Sequence, residues 1–230
     1  MRSARHHSNA IVGSLLLTAT LGLEARADAL VALRLGRAEP FAAPVVLVSG
    51  AQVTSFVLET STDLMSWTVV YHAFGPPGEH PLFALDAGWQ PAGQQFWRAR
   101  PAESLAEQEQ LWRDHAPFEY TFHFRHMVSF FEGGVRGTVH VRGGVVVGVT
   151  DAAEDRSGQP ILQPDLAQFR SIEQLFGEIG KALEAGAQQV AVTYDPTGAH
   201  PALVVVDRTT LTIDDESIFQ ASELIPVHPQ

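Results

Sequence analysis

Between Phe118 and Arg125 the chain alternates strictly, with Phe118, Tyr120, Phe122 and Phe124 aromatic and Glu119, Thr121, His123 and Arg125 polar. A period of two sends successive side chains to opposite faces, so this segment predicts a strand with one buried face. Val135 to Arg142 and Val145 to Thr150 read as two further strands around Gly143-Gly144, whose freedom at positive φ suits a two-residue hairpin turn. Val145-Val146-Val147 breaks the alternation, which predicts cover on both faces or a bulge.

A helical period takes over elsewhere. Ile172, Leu175, Phe176, Ile179 and Leu183 fall on one stripe, Ser171 with Gln174 forms a capping box ahead of it, and Gly186 stands where a helix stops. Ser104-Leu105-Ala106-Glu107 predicts another capping box, opening a helix to about Asp114 that Pro117 ends. Asp151 to Phe169, with Gly158, Pro160 and Pro164, reads as a long loop. Val190 to Asp195 and Leu203 to Asp207 read as strands, with a last one at Ser217 to Leu224. The order predicts an α+β fold, an antiparallel sheet with helices packed on one side, over residues 101–226.

Residues 28–100 follow a different grammar. Val45 to Val48, Ser55 to Leu58, Trp67 to Tyr71, Leu82 to Leu85 and Gln95 to Ala99 are β-prone runs split by turn clusters, which predicts a small all-β, sandwich-like module. Residues 1–27 differ from both. Arg2 and Arg5 precede the apolar run Ile11 to Leu23, and Ala25-Arg26-Ala27 has the small-x-small form of a cleavage site, so a secretory signal peptide is expected. The run is shorter than the ~20 apolar residues a spanning helix needs, so no permanent membrane span is expected.

Of 230 residues, 15 are basic and 26 acidic, a net charge of −11. Loss of Met1 to Ala27 removes Arg2, Arg5, Arg26 and Glu24, leaving 12 basic against 25 acidic residues. An acidic protein of this kind lacks the basic surface that a phosphate backbone requires, so nucleic acid is not an expected partner. Cysteine is absent, which excludes disulfides, thiolate nucleophiles and thiolate metal sites.

Two resemblances follow from particular residues. Phe56 to Trp67, with its Ser61-Thr62-Asp63-Leu64 turn, and Phe96-Trp97-Arg98 resemble a β-module recurring in secreted bacterial proteins. Leu111-Trp112, Tyr120, Val139, Val141, Gly143-Gly144, Ser171 to Phe176, Val192 to Asp195, Gly198, Pro201, Asp207 and Asp214-Asp215-Glu216 resemble a bacterial domain family of unknown function, number six-one-seven-four, across about residues 103–224. Members are commonly exported proteins or lipoproteins without an established activity, so the resemblance implies location and fold rather than mechanism. Many carry a cysteine pair where this chain has His126 to Phe131, and an aromatic residue where it has Ala199-His200.

Candidate chemistry is sparse. Ten histidines show no zinc-ligand spacing, and no nucleophile elbow, phosphate-binding loop or dinucleotide fingerprint is present. Asp195, Asp207, Asp214, Asp215 and Glu216 could gather oxygen ligands for Ca²⁺, but they also suit turns and helix caps, and the structural role is favoured. If the strands align, His123, Arg125, Arg136, His140 and Arg142 make a basic patch able to hold a carboxylate or sulfated anion. Trp67, Tyr71, Trp89 and Trp97 could stack on sugars; Trp67 and Trp97 lie within the module's own motifs, which leaves Trp89. The expectation is an exported, non-enzymatic binding or interaction protein of the cell envelope, with no cofactor and a protein or glycan partner. A carbohydrate- or small-anion-binding protein is the alternative, and an unrecognised hydrolase the third reading.

Overall fold

The computed structural model describes residues 30–32, 45–49, 55–75, 78–81, 96–101, 105–128, 133–209 and 216–227. The fold is α+β, largely antiparallel sheet with two helices. Its strands are β1 (Leu30–Ala32), β2 (Val45–Ser49), β3 (Ser55–Ser61), β4 (Thr68–Phe74), β5 (Gly78–Pro81), β6 (Phe96–Pro101), β7 (Glu119–Val128), β8 (Gly134–Arg142), β9 (Val145–Glu154), β10 (Gln189–Tyr194), β11 (Pro201–Asp207) and β12 (Ser217–Pro226). The helices are α1 (Ala106–His115) and α2 (Ile172–Glu184). Nine strands form one sheet in the order β6-β3-β4-β10-β11-β12-β7-β8-β9, and β1, β2 and β5 form a separate three-stranded sheet.

Alternation in β7 works as expected from Tyr120 onward: Tyr120, Phe122 and Phe124 are buried and His123 and Arg125 are exposed. Phe118 departs from the expectation. It precedes the strand and is 74% exposed, because its carbonyl accepts from the Gly143 N–H at 2.7 Å and leaves the ring outside, beside the hairpin turn. That turn holds Gly143 at φ +57° and Gly144 at φ +77°, a pairing that side chains disfavour and glycine tolerates.

Helix α2 has the expected capping box. Ser171 Oγ accepts from the Gln174 N–H at 3.2 Å, and Gln174 Oε1 accepts from the Ser171 N–H at 2.8 Å. Ile172, Leu175, Phe176 and Ile179 are buried, and Gly186 follows the helix at φ +74°. Helix α1 begins differently: Leu105 occupies the N-cap position with no side-chain cap, and Ser104 lies outside the described residues. Its Trp112 joins α2 and the inward residues of β7, β8, β10, β11 and β12 in a single apolar cluster.

The first half departs from a self-contained sandwich. Strand β4 pairs with β10, matching His72 to Val192, so β3, β4 and β6 extend the α+β sheet. Val57 and Val69 belong to the same cluster as α2, while Phe56, Leu58, Val70, Tyr71 and Ala73 pack with Ala191 and Val205. The boundary expected near Pro101 therefore falls between elements of one continuous sheet. Leu82 to Leu85 lies outside the described residues.

Two sequence motifs of this half have local explanations. Ser61 Oγ accepts from the Leu64 N–H at 2.8 Å, Asp63 Oδ1 accepts from the Met65 and Ser66 N–H groups at 2.8 Å each, and Leu64 sits at φ +62°. Those donors, with Ser66 and Met65 foremost, hold the Asp63 carboxyl below its usual range. Arg98 then lies 4.1 Å over the Trp67 ring and binds buried Glu59 at 2.5 Å, while Arg100 reaches the same carboxylate at 3.0 Å.

Candidate ligand-binding face

The β7–β8 register brings the predicted basic residues onto one face. Arg125 stands opposite Arg136, His123 opposite Thr138, Thr121 opposite His140 and Glu119 opposite Arg142. On the other side of β7, Arg125 faces Gln220 and His123 faces Ser222 of β12. The inward partners Tyr120, Phe122, Phe124, Val139 and Val141 are fully buried, which fixes the register, since a slip of one residue would send every one of them to solvent.

Alignment does not make all five basic groups available. Arg125 is bound by Asp155, Nε to Oδ1 at 2.5 Å and Nη2 to Oδ2 at 3.0 Å, and that hydrogen bonding raises its pKa. Arg142 is held by Glu119 through two bonds at 3.0 and 2.8 Å, which also keeps the Glu119 carboxyl below its ordinary value. His123 Nδ1 lies 3.5 Å from Glu223. Arg136 is exposed, has no ion pair among the described residues, and rests an Nη2 over Gly158. Half-buried His140 lies across from Thr121, away from the Arg125–Arg136 pair.

Around Arg136 the face sinks into an open hollow of about 390 Å³, lined by His123, Arg125, Thr138, Asp151, Gln220 and Ser222 among others. Asp151 was not legible as a site residue, because 151–154 read as loop. Strand β9 instead continues to Glu154, and a register shift where Arg136 pairs with Ala153 and Thr138 with Thr150 gives β9 one extra residue. Gly137 permits it: a Cβ there would meet Val149 Cγ1 at 2.9 Å, Thr150 O at 3.1 Å and Ala152 Cα at 3.2 Å. The bulge holds Asp151 at φ +53°, a conformation non-glycine residues rarely adopt. A glycine inside a predicted strand is the one sequence signal that could have found it.

Asp195, Trp67 and Trp97 have structural partners. Asp195 Oδ1 accepts from Thr197 N at 2.8 Å, Thr197 Oγ1 at 2.5 Å and Gly198 N at 2.7 Å, so it closes its own turn. Asp214 and Asp215 lie outside the described residues, as does Trp89; among the described residues no three His, Asp or Glu side chains gather as a metal set. The Trp67 ring is covered by Arg98, and Trp97 packs against the Phe56 cluster.

Several of the residues carrying the family resemblance meet at one junction. Trp112 Nε1 donates to Glu173 Oε1 at 3.1 Å, Tyr120 OH donates to Glu173 Oε2 at 2.7 Å and accepts from the Ile172 N–H at 3.1 Å, and Ser171 Oγ donates to Gly144 O at 2.7 Å. Trp112 also meets Tyr120 and His200 edge-on, each with ring centroids 5.7 Å apart. Residues 104–226, more than half the chain, match the family of unknown function DUF6174. The chain belongs to that family. Trp112, Tyr120, Gly144, Ser171, Glu173 and His200 thus tie α1, α2, the hairpin turn and the Asp195 turn together, and none of them lines the hollow at Arg136. Comparison with curated proteins and with solved structures finds no match.

No described helix is long and apolar enough to cross a membrane.

Proposed function

We propose that the mature protein is an exported, non-enzymatic binding protein of the cell envelope, which holds a small anionic group of a free ligand or glycan in the hollow around Arg136. The observation that carries this reading is Arg136, a guanidinium without an ion pair among the described residues, in a recess where Thr138, Gln220 and Ser222 offer neutral hydrogen-bonding groups beside Asp151. A guanidinium presents a planar set of donors that matches carboxylate and sulfate geometry. In this picture the helices pack on the opposite face of the sheet, and the strands before Pro101 act as a spacer. Export is supported by Arg2, Arg5, the apolar run Ile11 to Leu23 and Ala25-Arg26-Ala27.

Titration of the mature chain with acetate and with sulfate, followed by amide NMR, tests the site. Saturable shifts at Arg136, Thr138 and Gln220 that vanish in Arg136→Gln are expected. Shifts spread evenly over the surface and unchanged in that variant would overturn the assignment.

A further inference from the structure

Arg136 and Asp151 line one hollow without closing on each other. Both are exposed, and among the described residues neither forms an ion pair with the other or with any third group. Of the neighbouring groups, Arg125 is matched by Asp155, and His123 Nδ1 lies 3.5 Å from Glu223. Among the described residues that line the recess, Arg136 and Asp151 are thus the cation and the anion without an ion-pair partner.

The backbone maintains this arrangement. Arg136 comes from a regular position of β8, while Asp151 is presented by the bulge of β9 at φ +53°. A left-handed conformation at a residue with a Cβ is unfavourable, and persists where the surroundings impose it; bulges beside sites commonly re-aim one side chain. Here the imposing contact is the close approach of Val149, Thr150 and Ala152 to Gly137, immediately after Arg136.

Accepting that the hollow is a binding site, we infer that its ligand is a small zwitterion of the amino-acid class, its carboxylate on the Arg136 guanidinium and its ammonium on the Asp151 carboxylate. A simple anion would use Arg136 but meet repulsion from Asp151, and a simple cation the reverse. A molecule carrying both charges satisfies both groups at once. Thr138, Gln220 and Ser222 then complete the hydrogen bonds of the two charged ends, and the open hollow of about 390 Å³ has room to admit such a ligand.

The test is an amide NMR titration of the mature chain with three probes, glycine, acetate and methylammonium, repeated on Arg136→Gln and Asp151→Asn. Both substitutions are at exposed side chains, and a native-like amide spectrum confirms that each variant is folded. Glycine is expected to bind at least about tenfold more tightly than either single-charge probe. Asp151→Asn should reduce glycine to the level of acetate while leaving acetate unchanged or improved, and Arg136→Gln should abolish both. Equal binding of glycine and acetate, unaffected by Asp151→Asn, would overturn the zwitterion and leave an anion site standing. Absence of saturable shifts with all three probes would overturn the site together with its ligand.

Discussion

Tyr120 donates its phenolic proton to Glu173 across 2.7 Å, joining β7 to the first turn of α2. The same oxygen accepts from the Ile172 N–H, one of the donors left free at a helix start, and Glu173 also accepts from the Trp112 indole. Burial, followed by the Glu173 charge, pushes the Tyr120 phenol well above its ordinary value, so it remains a donor throughout the physiological range. Tyr120→Phe keeps the ring and removes the donor and acceptor at once. A loss of about 1–3 kcal/mol in urea unfolding is expected, the range for leaving buried polar groups unsatisfied. A change within experimental scatter would show that water replaces the phenol at no cost.

Phe176 tests the stripe of α2. It is 2% exposed, between Leu175 and Ile179, with its ring 6.5 Å from that of Tyr194. Phe176→Ala should lower stability by roughly 3–5 kcal/mol, as truncation of a buried Phe does. A loss below ~1 kcal/mol would place this helix face in solvent.

What sequence reasoning recovered and what it missed divide along a physical line. The Ser171 cap, the α2 stripe and the Gly143-Gly144 turn depend on residues a few positions apart, and periodicity and turn chemistry report them directly. Alternation located β7 but could not say that Phe118 lies before its first paired residue, since that depends on where Gly143 bonds. The pairing of His72 with Val192 links residues far apart in sequence, and no local pattern encodes it. The β7–β8 register sets the five basic residues on one face, the condition the sequence left open, and which of them lacks an acidic neighbour depends on Asp155, Glu119 and Glu223, carboxylates contributed by other elements or positions. Asp151 was missed because its position follows from a missing Cβ at Gly137 on the adjacent strand.

The continuous sheet predicts shared unfolding. Removing residues before Pro101 would uncover Ala191 and Val205 and leave the β10 ladder unpaired on one side. The mature chain should therefore melt in a single transition, and a fragment of residues 101–230 should melt at a lower temperature or aggregate. Calorimetry of both decides the matter. A fragment as stable as the mature chain would make β3, β4 and β6 an appendage.

Glu59 provides a different test, on β3, one strand in from the edge of the sheet. Its carboxylate is 4% exposed and accepts from both Arg98 and Arg100, whose side chains are partly exposed. Glu59→Ala leaves those guanidinium groups without their buried partner and also releases Arg98 from its position over Trp67. Because the arginines left behind are partly exposed and screened, stability should fall by about 1–3 kcal/mol, the range for losing hydrogen bonds to a charged group rather than for stranding a buried charge. Fluorescence from Trp67 should change in the folded state as well. An unaltered melt would mean that solvent screening at the partly exposed arginines removes most of the effect.

Three histidines with depressed pKa values, buried His72 and His200 and half-buried His126, set the response to mild acid. His72, 1% exposed and stacked on Phe74 at 4.0 Å, has its pKa pushed down to about 4 by burial and then by Arg100. His126, stacked on Phe219 at 4.2 Å, is pushed down to about 4 by burial and then by Arg170, with Arg208 acting the same way and Glu178 against it. An unfolded histidine titrates near ~6.5. Between that value and about 4, the unfolded chain holds protons that the native chain refuses, so unfolding is favoured progressively as the pH falls. The stabilisation is complete above the unfolded value and exhausted below the folded one. Carboxylates such as Asp195, whose pKa is lowered by its turn despite burial, add their own loss only at lower pH, as they protonate. The melting temperature should consequently drop from pH 7.5 to pH 5, and drop less in His126→Phe, which keeps an aromatic ring against Phe219 but has no proton to take up. If the variant loses as much as the parent over that interval, His126 is not a source of the acid sensitivity.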